Sequence, residues 1–174
     1  MPKVYLIEGP VGAGKSTYAS ALAQRTQGIH IALDDWFVAL FSPDRPADHF
    51  VPSWYIERKA RLLDLIWNHS RRILASGADA ILELGLIQRQ ARSEFCSRVV
   101  EEGFDLQLHI LDAPLDVRRE RVRRRNTEKG ATFAMVVPDH VFEMASTLWE
   151  APDDAECSDY PVEFVEIAAL RGQG

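Results

Sequence analysis

Short apolar runs alternate along the chain with stretches whose apolar residues recur at helical spacing. "KVYLIEG" from Lys3 runs apolar up to Gly9, and "STYASALAQRT" then sets Ala19, Leu22 and Ala23 on one helical face, which predicts strand, loop, helix. "IHIAL" from Ile29 to Leu33 reads as a second strand, stopped by Asp34 and Asp35. A long helix is expected from near Ser53, a cap residue after Pro52, to Gly77, with Leu62, Leu63, Ile66, Ile73 and Leu74 as its stripe. "AILEL" from Ala80 to Leu84 is a third strand. The helix "RQARSEFCSRVVEEG" follows, turning Phe95, Val99 and Val100 inward and closing at Gly103. In "FDLQLHIL", Phe104, Leu106, Leu108 and Ile110 alternate as a fourth strand. An arginine-rich helix from Leu115 to about Asn126, a helix starting near Asp139 and a last strand "VEFVEI" complete the pattern.

Strands alternating with helices predict an α/β fold: a five-stranded parallel sheet with helices on both faces and right-handed crossovers. With no internal repeat or low-complexity linker, residues 1–174 read as a single domain. Ligands in such folds bind beyond the carboxyl ends of the strands. Gly9, the pair Asp34 and Asp35, and Glu83 with Gly85 therefore fall along one edge.

Composition narrows the partners. The chain is 47% hydrophobic and 26% charged, enough for one real core, and its net charge of -6 repels nucleic acid unless a local basic patch offsets it. Cys96 and Cys157 lack metal-ligand spacing and fit a reducing compartment, and His30, His49, His69, His109 and His140 show neither metal-ligand nor triad spacing. The opening "MPKVYLIEGP" does not read as a signal peptide, and no run reaches the length of a membrane span, so a soluble cytoplasmic protein is expected.

"GPVGAGKS", Gly9 to Ser16, matches G-x-x-x-x-G-K-[ST] in full and lies between a predicted strand and a predicted helix. Glycines let backbone N–H groups wrap phosphate oxygens, the helix N-terminus adds its dipole, and Lys15 adds a full charge. Gly9, Gly12, Ala13, Gly14, Lys15, Ser16 and Thr17 are thus expected to bind ATP, with Ser16 on Mg²⁺. This fold class is the three-layer P-loop NTPase fold. No late N-K-x-D guanine reader is present. "ILELG" carries a single carboxylate where hydrolysing ATPases place D-E after an apolar run.

"GPVGAGKST", "LDDWF", "ILELG" with "RQAR", "LDAPLDVRRERVRRRN" and "LWEAPDDAE", in that order, resemble the small P-loop phosphotransferases. That group includes polynucleotide 5′-kinase domains, chloramphenicol phosphotransferase, zeta toxins and AAA-type predicted kinases. The resemblance implies that Asp34 accepts the proton of the acceptor hydroxyl as it attacks the γ-phosphate, with Asp35 as its fallback in the acceptor site. Against this stands a capping role for the pair at the helix containing Trp36 and Phe37. It also implies that Glu83, where relatives carry an aspartate, helps hold Mg²⁺ through water or orients the acceptor. Polynucleotide kinases follow the aspartate with an arginine that grips the acceptor's phosphate. Trp36, Phe37 and Val38 stand here instead, which points to an acceptor without that phosphate and to Trp36 as either a flat or apolar substrate face or a core residue, with Phe37 in the core.

Arg92, near the start of the helix after the third strand, is placed at the site edge as an anion contact. In "RRERVRRR", residues 118–125, Arg118, Arg121 and Arg125 share an arc with Val117 and Val122, whereas Arg119 and Arg123 project to the other side. Arginines facing a phosphate site fit a lid over residues of about 115–135, Arg121 and Arg125 foremost, stabilising charge on the transferring phosphoryl. The expected activity is phosphoryl transfer from ATP, with Mg²⁺, to a hydroxyl of a small molecule such as an antibiotic, sugar or nucleoside. Two alternatives stay open: a nucleic-acid 5′-hydroxyl kinase tracking its substrate along the arginine helix, and a nucleotide-dependent switch without phosphotransfer.

Overall fold

Five parallel strands form one sheet: β1 (Lys3–Glu8), β2 (Ile29–Ala32), β3 (Ala80–Glu83), β4 (Asp105–Leu111) and β5 (Val162–Val165), in the order β2-β3-β1-β4-β5. In this computed structural model residues 1–44, 52–130 and 133–166 are described. His49, residues 131–132 of the expected lid and Ile167 at the end of the last predicted strand lie outside them. The helices are α1 (Lys15–Thr26), α2 (Leu33–Phe41), α3 (Pro52–Ala75), α4 (Arg89–Glu101), α5 (Leu115–Glu128), α6 (Asp139–Leu148) and α7 (Asp154–Asp159).

Both faces of the central strands are buried, which is why they read as near-continuous apolar runs. On one face Val4, Leu6, Leu82, Leu106 and Leu108 pack against α2, α3 and α4 through Phe37, Leu62, Ile66, Trp67, Phe95 and Val99. On the other, Ile7, Ile81 and Leu111 meet Tyr18, Ala19 and Leu22 of α1. The three layers follow from this alternation.

Three details differ from the expected pattern, the first being Val100, expected inward with Phe95 and Val99 but exposed on the outer side of α4. The second strand ends at Ala32, paired with Glu83, and Leu33 already opens α2. Asp34 and Asp35 thereby occupy the first turn of α2, where carboxylates complement the positive helix end. The short helix α7 was not legible from its six residues; Asp153 caps it by accepting from Glu156 N at 2.9 Å.

Candidate active site

The turn from β1 into α1 is built by its glycines. Gly12 has φ +80°, and a Cβ there would stand 2.6 Å from the Arg118 carbonyl oxygen, so only glycine lets the loop and α5 approach so closely. Gly14, the N-cap of α1, is left-handed at φ 99° and offers no side-chain cap, and the first turn holds no acidic residue. The first amides of α1 therefore point outward as an anion site. Lys15 Nζ rests on the Gly9 and Pro10 carbonyls at 2.9 and 3.1 Å, folded back over the loop it would leave for a phosphate.

A cavity of about 780 Å³ lies between this loop and α5. Gly12, Ala13, Gly14, Lys15, Ser16 and Thr17 line one wall, and Arg121, Arg124, Arg125, Asp116, Glu120 and Glu128 are among the residues of the other. Arg121 reaches across, with Nη1 3.4 Å from the Ala13 carbonyl and 3.5 Å from that of Gly12. Arg125 Nε is enclosed without a hydrogen-bond partner among the described residues. Arg118, on the same arc, does something else. Its guanidinium donates to Ala113 O at 3.0 Å and to Val11 O and Ser146 Oγ at 3.1 Å, fastening α5 to the loop and to α6.

The ends of β1, β2 and β3 gather a second set of groups beside Ser16. Ser16 Oγ donates to Glu83 Oε1 at 2.9 Å, and His30 Nε2 lies 3.4 Å from Glu83 Oε2. Burial alone would raise the Glu83 pKa, but the neighbouring His30 imidazole, the Lys15 charge and the Ser16 hydroxyl outweigh it and hold the carboxyl below its usual range. Asp34 is shifted the other way, first by desolvation and then by the Glu83 charge, with Lys15 and Lys59 opposing. Its side chain keeps contact with solvent while protein crowds it from several sides. Asp35 is raised by desolvation and by Glu83, with His30 opposing.

Three members of this cluster were not singled out in the sequence. Glu8 is fully buried, accepts from Leu86 N at 2.9 Å, and is pushed up to about 7 by desolvation against the pull of Lys15 and Lys59. Lys59 donates to Gly85 O at 2.8 Å, and burial lowers its pKa against the charges of Glu8 and Asp34. A carboxylate inside an apolar strand was a signal for Glu8. Lys59 stands one turn before Leu62 and Leu63 on the stripe of its helix. His30, read as an ordinary histidine, has no such local signal; only the pairing of β2 with β3 brings it to Glu83.

One expected acceptor-site residue lies elsewhere and a second is partly taken up by packing. Arg92 is fully buried, paired with Glu156 at 2.7 and 2.9 Å and donating to Leu86 O and Glu150 O, because α4 turns it toward α7 and away from the strand ends. Its ion pair replaces the anion contact. Trp36 is half-buried and packs against the main core, its ring 5.9 Å from that of His69 on α3, so part of it serves the α2–α3 contact. Phe37 is in the core, as expected.

The donor set fits Mg²⁺. No group of three or more His, Cys, Asp or Glu able to hold a metal occurs among the described residues, whereas one hydroxyl and one carboxylate at hydrogen-bond distance suit an ion that takes its other oxygens from phosphate and water.

A model of the AAA domain family matches residues 4–151. The chain belongs to the AAA domain family. Its parallel sheet and phosphate loop are those of the P-loop fold that the small kinases share. This AAA domain is 30% identical over 163 residues to a guanylate kinase of Chromohalobacter salexigens, covering 82% of this chain and 70% of that protein. Its fold is shared with a sugar kinase from Janibacter sp. HTCC2649 at 18% identity and TM-score 0.62, over 95% of this chain and 85% of that one. A chain of the Pnkp1/Rnl/Hen1 RNA repair complex also shares it, at 18% identity and TM-score 0.64. There the match covers 91% of this AAA domain but only 46% of the other chain.

Proposed function

We propose that this AAA domain is an ATP-dependent phosphotransferase that moves the γ-phosphoryl group to a hydroxyl of a small molecule. The observation that carries the reading is the convergence at the strand ends of a phosphate loop, the Ser16–Glu83 pair and an Asp34 flanked by the charges of Lys15 and Lys59. Lys15 and the loop amides hold the β- and γ-phosphates. Mg²⁺, held by Ser16 with Glu83 through water, would neutralise charge on the phosphates.

Asp34 orients the acceptor hydroxyl and takes its proton as the O–P bond forms and the bond to the ADP oxygen breaks. Its raised pKa makes it a stronger base than an ordinary carboxylate. Asp35, next in the first turn of α2, borders the acceptor. Arg121 and Arg125 lie across the cavity from the loop, where charge spreads during transfer, and α5 with the segment after it acts as the lid. The relatives' names span guanylate, a sugar and RNA repair, so kinship alone leaves the acceptor open.

The test is ATP consumption with Mg²⁺ over a panel of sugars, nucleosides, hydroxylated antibiotics and guanylate. One hydroxyl compound should stimulate turnover and yield its phosphorylated form. Asp34→Asn should lower kcat about 10²- to 10⁴-fold, and Lys15→Ala should abolish productive nucleotide use. Stimulation by guanylate alone would replace the hydroxyl acceptor with a phosphate one. Tight nucleotide binding with no acceptor, and Asp34→Asn equal to the parent, would favour the switch.

A further inference from the structure

Four polar side chains run in a line behind the phosphate loop, on the face of the sheet that α1 covers. Ser16 and Ser20 lie one turn apart on α1. Below them His30 on β2 and Glu83 on β3 share one side of the parallel pair, whose register matches His30 with Ile81 and Ala32 with Glu83. Ser16 Oγ donates to Glu83 Oε1 at 2.9 Å, His30 Nε2 faces Glu83 Oε2 at 3.4 Å, and Ser20 Oγ lies 3.4 Å from His30 Nδ1.

The geometry points to His30 as a positioning residue for Glu83: its ring locks the carboxylate so that Ser16 presents its free lone pairs to the nucleotide's metal. This rests on the assignment of Ser16 and Glu83 to Mg²⁺ made above. Both His30 Nε2 and Glu83 Oε2 are buried without a hydrogen-bond partner among the described residues, and at 3.4 Å each is the polar group facing the other, close enough for a small turn of the ring to pair them. A neutral ring facing a carboxylate must carry its proton on Nε2, which leaves Nδ1 as an acceptor for the Ser20 hydroxyl. Ser20, 3.4 Å from Nδ1, is placed to donate to that nitrogen in this tautomer.

The consequence concerns Ser16. Its proton is engaged by Glu83, so its lone pairs point where Glu83 lets them. A carboxylate held only by that one hydroxyl would be free to rotate, whereas one whose second oxygen faces an imidazole at 3.4 Å is restrained by charge and packing. Partners standing behind a ligand in this way commonly contribute about 10- to 100-fold to metal affinity.

The experiment is calorimetric binding of ADP with Mg²⁺ and again in EDTA, which isolates the gain due to the metal without any turnover. In the parent protein Mg²⁺ should tighten binding. His30→Ala should reduce that gain about tenfold or more, with affinity in EDTA within twofold of the parent, and His30→Gln, which keeps a donor, should restore part of it. Should His30→Ala weaken binding in EDTA as well, His30→Leu, which refills the space without a donor, decides the comparison. Loss of the gain in Glu83→Gln but not in the donorless His30 variants would overturn the inference and leave the metal assignment standing. A gain untouched in both, or absent from the parent, would overturn the two together.

Discussion

Glu8 shows how a single residue carries the tension of this site. It ends β1 immediately before the phosphate loop, fully buried, with one oxygen on Leu86 N and the other without a hydrogen-bond partner among the described residues. Its folded pKa of about 7, above an ordinary 4.5, means that the folded chain binds this proton more tightly than the unfolded chain does. Stability from this group is therefore greatest below 4.5, falls as pH rises through the window, and is lowest above 7. The span corresponds to on the order of 3 kcal/mol. Glu8→Gln keeps an oxygen for Leu86 N but cannot ionise. Denaturant unfolding between pH 4.5 and 8 should show its stability rising relative to the parent with increasing pH, and a constant difference would contradict the assignment. The carboxylate was visible in "KVYLIEG", but its burial depends on α3 and the segment after β3 closing over it.

At the scale of elements, the segment leaving β3 is held from three directions. Glu8 grips Leu86 N from β1, Lys59 grips Gly85 O from α3, and Arg92 grips Leu86 O from α4. Arg92 then joins this segment to α7 through Glu156, and its guanidinium lies 5.0 Å from the Trp149 ring. Removing one member of a buried pair leaves the other charge uncompensated, so Arg92→Ala should lose about 3–5 kcal/mol in denaturant unfolding. Replacing both, as in Arg92→Met with Glu156→Leu, should recover most of that loss, because apolar groups of similar volume carry no such penalty. Helical periodicity placed Arg92 near the start of its helix and could not reveal its partner, which lies 64 residues further on. The strands and long helices were legible because each buries a face; α7 has six residues and too little pattern to show.

At the scale of the whole molecule, charge bears on the choice of partners. The chain carries a net charge of -6, and in its arginine-rich α5 only part of the positive charge is free on the surface. Arg119 pairs with Glu143 at 2.6 Å and Arg123 with Asp139 at 2.7 Å, Arg118 is turned inward, and Arg121 and Arg125 line the cavity. Little of α5 is left as a track for a phosphate backbone. Single-stranded oligonucleotides should accordingly bind weakly at physiological salt. Tight binding that falls steeply with added salt, read by fluorescence anisotropy, would restore the nucleic-acid kinase. Among the described residues no helix is long and apolar enough to cross a membrane.

By itself the sequence determined what depends on neighbours along the chain. The period-two and helical repeats set the elements, the full G-x-x-x-x-G-K-[ST] spacing set the phosphate loop, and the break at Asp34 and Asp35 marked a strand end carrying acids. Only the tertiary structure decided which distant groups share a low-dielectric space. The β2–β3 register brings His30 to Glu83, the α4–α7 contact withdraws Arg92 from the site, and the packing of α5 divides its arginines between clamp, surface pair and cavity. Hydrophobic periodicity reports how much of a face is buried. It carries no information on which polar group waits on the other side, and the energies of buried charges depend on that.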